Sequence, residues 1–212
     1  ARPQEQAALA AALGPERVSL MRRGIERERF CPQARDRRWL ANTLGVPPER
    51  LAILCVGRVD VGKNVMVLAA AVRRLLDRGL PVHLVCAGEG PARPEIRALL
   101  GDHASCPGVI EPERLARVYA SCDLFALPSE IEVFANVVLE ALASGLPVVL
   151  SQGNGMADLL PLSGCALVVA GRGVDPWVDS LQTCAESPRR RQAMAAAAAV
   201  AGRLSDVRAL EA

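Results

Sequence analysis

Two short segments carry most of the residues that could do chemistry. The first is Gly57-Arg58-Val59-Asp60-Val61-Gly62-Lys63-Asn64. Of 25 basic residues, 24 are arginine, and the single lysine is Lys63. A chain that uses arginine for every other cation has a lysine here, where a compact ammonium replaces a planar fork. Arg58 and Lys63 lie in a glycine-bracketed loop that leads into a predicted helix, and a helix start favours anions through its free N–H groups and dipole. The combination suits at least two negative charges, such as a diphosphate. It falls short of a full Walker A loop: GxxxxGK[ST] needs Ser or Thr where Asn64 stands. The plain alternative is a solvated strand–helix connection. The second segment runs from Pro128 to Glu140 and holds Glu132 and Glu140, eight residues apart. Glu132 falls in a loop and Glu140 about two turns into a helix, so a loop that folds back brings both carboxylates to one cleft. Each carboxylate can accept from vicinal hydroxyls, as in sugar recognition. Glu140 lies in an otherwise apolar helix, where a charge is costly without partners; the alternative is a place on the helix's exposed face.

These segments need a scaffold, and the hydropathy pattern supplies one. Apolar runs at 51–57, 81–88, 123–128, 147–150 and 166–170 read as five short strands. Between them, amphipathic stretches at 63–78, 91–100, 111–120, 134–143 and 156–160 read as helices, with a further helix from Asp175 to the end. Short apolar strands alternating with helices give βαβ units and a parallel sheet covered on both faces. The fold class is α/β, a Rossmann-like doubly wound sheet, in which ligands bind at the carboxyl ends of the strands. Both chemical segments follow such strand ends. So do Gly88-Glu89-Gly90-Pro91 and Ser151-Gln152-Gly153-Asn154-Gly155. The former begins like GxGxxG but has Arg93 at the third glycine, and reads as a tight turn. The expected organisation is a hinge or linker with flanking helices over 1–50, a Rossmann-like ligand-binding domain over 51–170, and C-terminal helices packing on it over 171–212. Before the domain, 5–13 and 36–44 read as helices, 17–21 as a short strand and 22–38 as a solvated, charged interdomain face.

Composition narrows the function classes. With 212 residues, half of them hydrophobic, the chain can bury a core. Aromatics at 3% leave no stacking platform for single-stranded nucleic acid, and a net charge of +2 is too small for a basic nucleic-acid binder. No apolar run reaches the ~18 residues of a membrane span. Seven cysteines without CxxC spacing read as buried thiols in a reducing cytoplasm.

Together the motifs resemble the C-terminal, donor-binding half of GT-B fold, retaining glycosyltransferases of the GT4 family. The resemblance rests on Gly57-Arg58…Lys63, on Gly88-Glu89-Gly90-Pro91, and on PSEIEVFANVVLEALASGLPV from Pro128 to Val148, in which Glu132 and Glu140 form an EX7E pair. It implies a nucleotide-diphosphate sugar as donor, transferred with retention to a lipid or glycan acceptor in cell-envelope glycan synthesis, without cofactor or metal. Arg58 and Lys63 would hold the diphosphate, with Gly57 beside them. Glu132 would contact the sugar near its anomeric centre, and Glu140 the ribose hydroxyls. Backbone N–H groups of Phe134, Ala135 and Asn136 would face sugar and phosphate, and Val109 and Ile110 would lie near the base. The catalytic set is then Glu132, Arg58 and Lys63.

Three positions depart from the family's habit: Asn64 and Ala135 where glycine is common, and Val133 where a small residue is common. The family's acceptor-binding N-terminal domain has no counterpart before residue 50, so the expectation is a piece inactive alone. Its place would be cytoplasmic, with peripheral contact at the inner membrane face as a further option. Two alternatives stay open: a non-catalytic nucleotide-binding module, and an NAD-type oxidoreductase domain suggested by Gly88-x-Gly90.

Overall fold

The core is a six-stranded, all-parallel sheet: β1 (Leu51–Val56), β2 (Val82–Ala87), β3 (Ala104–Gly108), β4 (Leu124–Leu127), β5 (Val148–Ser151) and β6 (Ala166–Val169), in the order β3-β2-β1-β4-β5-β6. The computed structural model describes residues 3–18, 25–132, 135–156 and 164–203. β1, β2, β4 and β5 are apolar along nearly their whole length because both faces are covered. One face carries α2 (Arg37–Leu44), α5 (Pro112–Ser121) and α6 (Asn136–Ala143), which pack Leu40, Tyr119, Leu139 and Leu142 against Leu54, Phe125 and Val148. The other carries α3 (Val65–Asp77), α4 (Arg93–Leu100) and α7 (Asp175–Ala185), which pack Leu68, Val72, Ile96 and Leu181 against Ile53, Leu84 and Val149. α8 (Pro188–Arg203) packs on α6, which it approaches through small residues, and touches α7. A Cβ on Gly202 would come within 2.6 Å of Ala143 Cα. α1 (Pro3–Leu13) precedes these elements.

The expected α/β architecture stands, with corrections in its elements. A sixth strand, β3, was absent from the hydropathy reading. Its sequence, ASCPG, is short, only partly buried and contains Pro107; β3 ends the strand order, and a proline is tolerated on such an edge strand. The helix expected to run unbroken from Asp175 is two helices, α7 and α8, the second beginning at Pro188, which cannot continue a preceding helix. The expected strand over 17–21 and the helix over 156–160 fall largely outside the described residues.

The stretch 22–38 is also less solvated than expected. Arg35 donates to the carbonyls of Ala120 (3.2 Å) and Cys122 (2.5 Å) at the end of α5 and pairs with Asp123 at 2.6 Å. Arg37 donates to the carbonyls of Ser121, Pro47, Pro48 and Arg50. Asp36 caps α2 by accepting from Trp39 N at 2.8 Å; that bond, then Arg117 at 2.6 Å, holds its carboxyl below the usual range. Guanidinium groups at helix C-termini satisfy carbonyls that the helix leaves open. The arginines near 190 follow the same logic in part, since Arg191 Nη1 reaches the carbonyls of Cys184 and Ala185 at the end of α7.

Candidate functional site

β1 and β4 are neighbours, yet β2 and β3 lie to one side of β1 and β5 and β6 to the far side of β4. The chain therefore turns opposite ways from these two strands, and a crevice opens beyond their carboxyl ends. The two segments singled out from sequence leave β1 and β4 at this point. The plain reading of the first segment as a mere solvated connection fails for Lys63, whose side chain is only 23% exposed.

The β1 segment is held in a defined shape. Asp60 caps a single 3-10 turn, Val61–Lys63, by accepting from Lys63 N at 3.1 Å. Asn64 then takes a left-handed conformation (φ 52°), which asparagine tolerates better than most residues. This explains the first departure: the position needs positive φ, and glycine or asparagine can supply it. Asparagine adds a tie, since its Nδ2 donates to Pro128 O, the first residue after β4.

The β4 segment is anchored from three sides. Ser151 Oγ, at the end of β5, donates to Pro128 O at 2.7 Å. Asn154 is fully buried, donates to Ser129 O at 3.5 Å and accepts from Met156 N at 3.1 Å. Gly155 N donates to Glu132 O at 2.9 Å. The glycine-rich loop after β5 is thus a wall that supports the Glu132 loop. Asp60, Ser151 and Asn154 were not among the predicted site residues. Asp60 could have been found, because Asp three residues before the end of a turn is a capping pattern; the others act through tertiary contacts with no local signal.

Between these two loops, Lys63 Nζ donates to Glu132 Oε1 in a short ion pair whose Glu132 side chain is 15% exposed. Arg58 reaches outward, 75% exposed, with Asp60 Oδ2 at 3.4 Å. Ala135 N-caps α6 with ordinary backbone angles (φ −99°) and is buried, so its methyl group causes no backbone strain. Asn136 opens α6, and its Oδ1 is buried without a hydrogen-bond partner among the described residues. Val133 and Phe134 lie outside the described residues.

Glu140 is half-buried on α6, not on a freely exposed face. Burial raises its pKa, and the adjacent Tyr119 hydroxyl pulls it back down. That hydroxyl is fully buried, with no hydrogen-bond partner of good geometry among the described residues, and burial and the Glu140 carboxylate push its own pKa far up. Tyr119 is held by Phe30 and Phe125, each with ring centroids 5.8 Å away. Val109 and Ile110 follow β3 and line an open cavity of about 320 Å³ with Gly57, Arg58, Gly88 and Leu115. Val109 is 78% exposed.

Gly88 and Gly90 do not form a phosphate cradle. A Cβ on Gly88 would stand 1.8 Å from Gly57 O, and one on Gly90 2.1 Å from Val59 O. The glycines let the β2 turn lie directly on the β1 loop, with Val59 N donating to Glu89 O and Ala92 N to Val59 O. The oxidoreductase alternative loses its one motif. A larger cavity, about 430 Å³, opens at the amino ends of β4 and β5, between Arg35, Asp123, Gly145 and Arg191. Its arginines are occupied by helix-end carbonyls and it lies away from the strand carboxyl ends. Among the described residues, no group of three or more His, Cys, Asp or Glu could hold a metal ion.

Comparisons with known proteins agree on one family. Residues 50–187 match the family described as "Glycosyl transferases group 1". The D-inositol 3-phosphate glycosyltransferase of Rhodococcus erythropolis is 30% identical over 196 residues, covering 87% of this chain and 44% of that protein. The fold is similar to that of WaaG, a glycosyltransferase involved in lipopolysaccharide biosynthesis (TM-score 0.81, 20% identity, 97% of this chain and 58% of that one). It is also similar to Anabaena HepE in complex with UDP-glucose (TM-score 0.79, 20% identity, 97% and 58%). The chain thus spans less than two thirds of each.

Proposed function

The chain belongs to the group 1 glycosyl transferases, and on that premise we propose that it is a donor-binding half, holding a nucleotide-diphosphate sugar whose sugar passes, with retention, to a lipid or glycan acceptor carried by the rest of a longer protein. The observation that carries this reading is the meeting of Lys63 and Glu132 across the crevice between β1 and β4, with Arg58 beside them.

The chemistry follows from those three groups. As the bond from the anomeric carbon to the diphosphate breaks, negative charge grows on the leaving oxygens and positive charge on the sugar. Lys63 and Arg58, with the start of α6, are fixed positive charge for the leaving group, and they act most strongly where charge is greatest, in the transition state. This is the electrostatic work that a metal does in other transferases, and the proposed reaction uses none. Glu132, released from Lys63 when the phosphate takes the ammonium, accepts from sugar hydroxyls. Glu140 accepts from the ribose hydroxyls, deeper in the site. Gly57, Val109 and Ile110 flank the cavity proposed for the base, and the N–H groups of Ala135 and Asn136 at the start of α6 face sugar and phosphate. HepE, of the same fold, is known with UDP-glucose bound, which supports a UDP-sugar as the first donor to try.

The test is calorimetric titration of UDP, GDP, ADP and CDP, and of their glucose conjugates, into the chain and its Lys63→Ala variant. One nucleotide series is expected to bind the parent and to lose at least tenfold in affinity, about 1.4 kcal/mol, in the variant. Equal binding to both proteins would sink the proposed role of Lys63. Binding of the nucleotide with no transfer in any longer form of the protein would favour the non-catalytic module.

A further inference from the structure

We propose that Cys86 and Cys106, with Cys55 beside them, form a redox-active thiol site in which a hydroperoxide converts the Cys86–Cys106 pair to a reversible cross-strand disulfide.

The observation is a row of three thiols across three adjacent strands. Cys55 on β1 is in register with Cys86 on β2. Cys106 on β3 falls where the β2–β3 register shifts, between the pairs Val85–Ser105 and Ala87–Gly108. All three side chains point to the same face and belong to the core under α3 and α4. Adjacent strands lie ~4.8 Å apart, inside the Cα separation that a disulfide can span. None of the three is in a disulfide. A row of apolar valines would pack such a sheet face as well.

The three sulfurs are not equivalent. Cys86 is the central one; donation of its S–H to Cys106 or Cys55, and then burial, hold its thiol protonated. Cys106 is pulled down to about 7, first by the hydrogen bond from Cys86, and against burial by the charges of Arg97 and Arg93. Both arginines also donate to the Cys106 carbonyl at 2.8 Å, which fixes the residue beside two cations. Electropositive surroundings are what make a cysteine the attacking thiolate. Cys106 is 3% exposed, on an edge strand five residues long that contains Pro107 and a register shift. Such a strand opens more readily than β1 or β4 in the middle of the sheet, which gives a small oxidant its access.

The step balances as follows. The Cys106 thiolate attacks one peroxide oxygen; an S–O bond forms, the O–O bond breaks, and hydroxide leaves and takes up a proton. The Cys86 sulfur then attacks the Cys106 sulfenic acid; the S–S bond forms, the S–O bond breaks, and a second water leaves with the Cys86 proton. The two thiols lose two electrons and the peroxide gains them. A dithiol reverses the linkage by exchange. Each cysteine stands two residues before the glycine after its strand or at its end, Gly57, Gly88 and Gly108, so the link ties β2 to β3 directly beneath the cavity between those ends. The linkage itself does not depend on what that cavity binds.

The experiment treats the full chain with hydrogen peroxide in native buffer, blocks remaining thiols with N-ethylmaleimide and maps the unreduced digest by mass spectrometry. The expected result is a loss of two hydrogens per chain, a linked peptide joining Cys86 to Cys106, and its disappearance with dithiothreitol. In Cys86→Ser the link is lost and dimedone traps a sulfenic acid at Cys106, whereas Cys31→Ser leaves the link in place. Mapping of the parent protein decides the matter even if a serine variant fails to fold. The proposal is overturned if Cys86 and Cys106 are both recovered alkylated under conditions that oxidise the partly exposed Cys31. It is also overturned if the link joins Cys55 to Cys86 instead, or if it forms only after unfolding in urea.

Discussion

At the scale of single residues, the site sets two carboxylates in different surroundings. Glu132 is neutralised by Lys63; Glu140 has no cation among the described residues and is raised by burial. Removing the Glu140 charge is therefore expected to help the empty protein while harming ligand binding. Glu140→Gln should raise stability by roughly 0.5 kcal/mol or more, the usual pattern where function keeps a costly group in place, and should lower nucleotide affinity. Paired melting and titration measurements check both signs, and a fall in both would show that the carboxylate is structural. Lys63→Ala should cost ~1 kcal/mol by leaving Glu132 without its cation. Glu132→Gln in the same chain should recover part of that cost, and a double-mutant cycle by denaturant unfolding reads the coupling. Both carboxylates and both cations were legible in the sequence, because their residue types and strand-end positions carry the signal. Their contact was not: Lys63 and Glu132 are 69 residues apart, and only the pairing of β1 with β4 brings them together. Tyr119 was missed because a tyrosine in an amphipathic helix looks like core, and it is core except at its hydroxyl.

At the scale of elements, the glycine that begins the β2 turn is the least replaceable residue near the site. Gly88 combines φ of 140° with backbone packing that leaves no room for a methyl group. Gly88→Ala should cost about 3 kcal/mol or more, with loss of both the turn and the cavity edge, as unfolding curves and hydrogen exchange in 57–64 would report. β2 also carries a buried histidine. His83 Nε2 lies 2.8 Å from Ser105 Oγ, which itself donates to Leu44 O, so the ring donates from Nε2. Burial, and then the charge of Arg50, depress His83 to about 4. A histidine depressed below its unfolded value of 6.5 leaves stability intact above that value and removes it as pH falls towards 4. Between pH 7 and pH 5 the loss should be about 2 kcal/mol. His83→Asn should flatten that dependence, and an unchanged slope would assign the acid lability elsewhere. The apolar strands were readable because burial on both faces leaves a continuous hydrophobic run. β3 was not, because an edge strand carries a bulge and a proline in place of that run.

At the scale of the whole molecule, the chain spans 44% of its Rhodococcus erythropolis relative and 58% of the WaaG chain. The crevice between β1 and β4 opens to one side, and Val61 and Ile131 at its rim are 81% and 86% exposed. The expectation is a piece that binds donor and does not transfer sugar by itself. A radiolabelled donor assay with the chain alone, and then with a longer form, checks this; turnover by the chain alone would contradict it. Among the described residues no helix is long and apolar enough to cross a membrane. The charged stretch 22–38 is partly spent on the domain's own carbonyls, which reduces what it can offer a lipid surface. The doubly wound class was readable from the alternation of elements, whereas the roles of Arg35, Arg37 and Arg191 were not, because a guanidinium that caps a distant helix leaves no mark on its own neighbours in sequence.

The ion pair across the crevice makes the empty site its own competitor. A visitor that brings only negative charge, such as inorganic phosphate, can take Lys63 but strands the Glu132 carboxylate, 15% exposed, without a counter-charge. A visitor that brings only hydroxyl groups can satisfy Glu132 but leaves the ammonium unmatched. If the crevice holds the proposed donor, occupancy without penalty requires both features in one molecule at the right spacing, and the pair would act as a conjunction test that disfavours small anions before any shape is read.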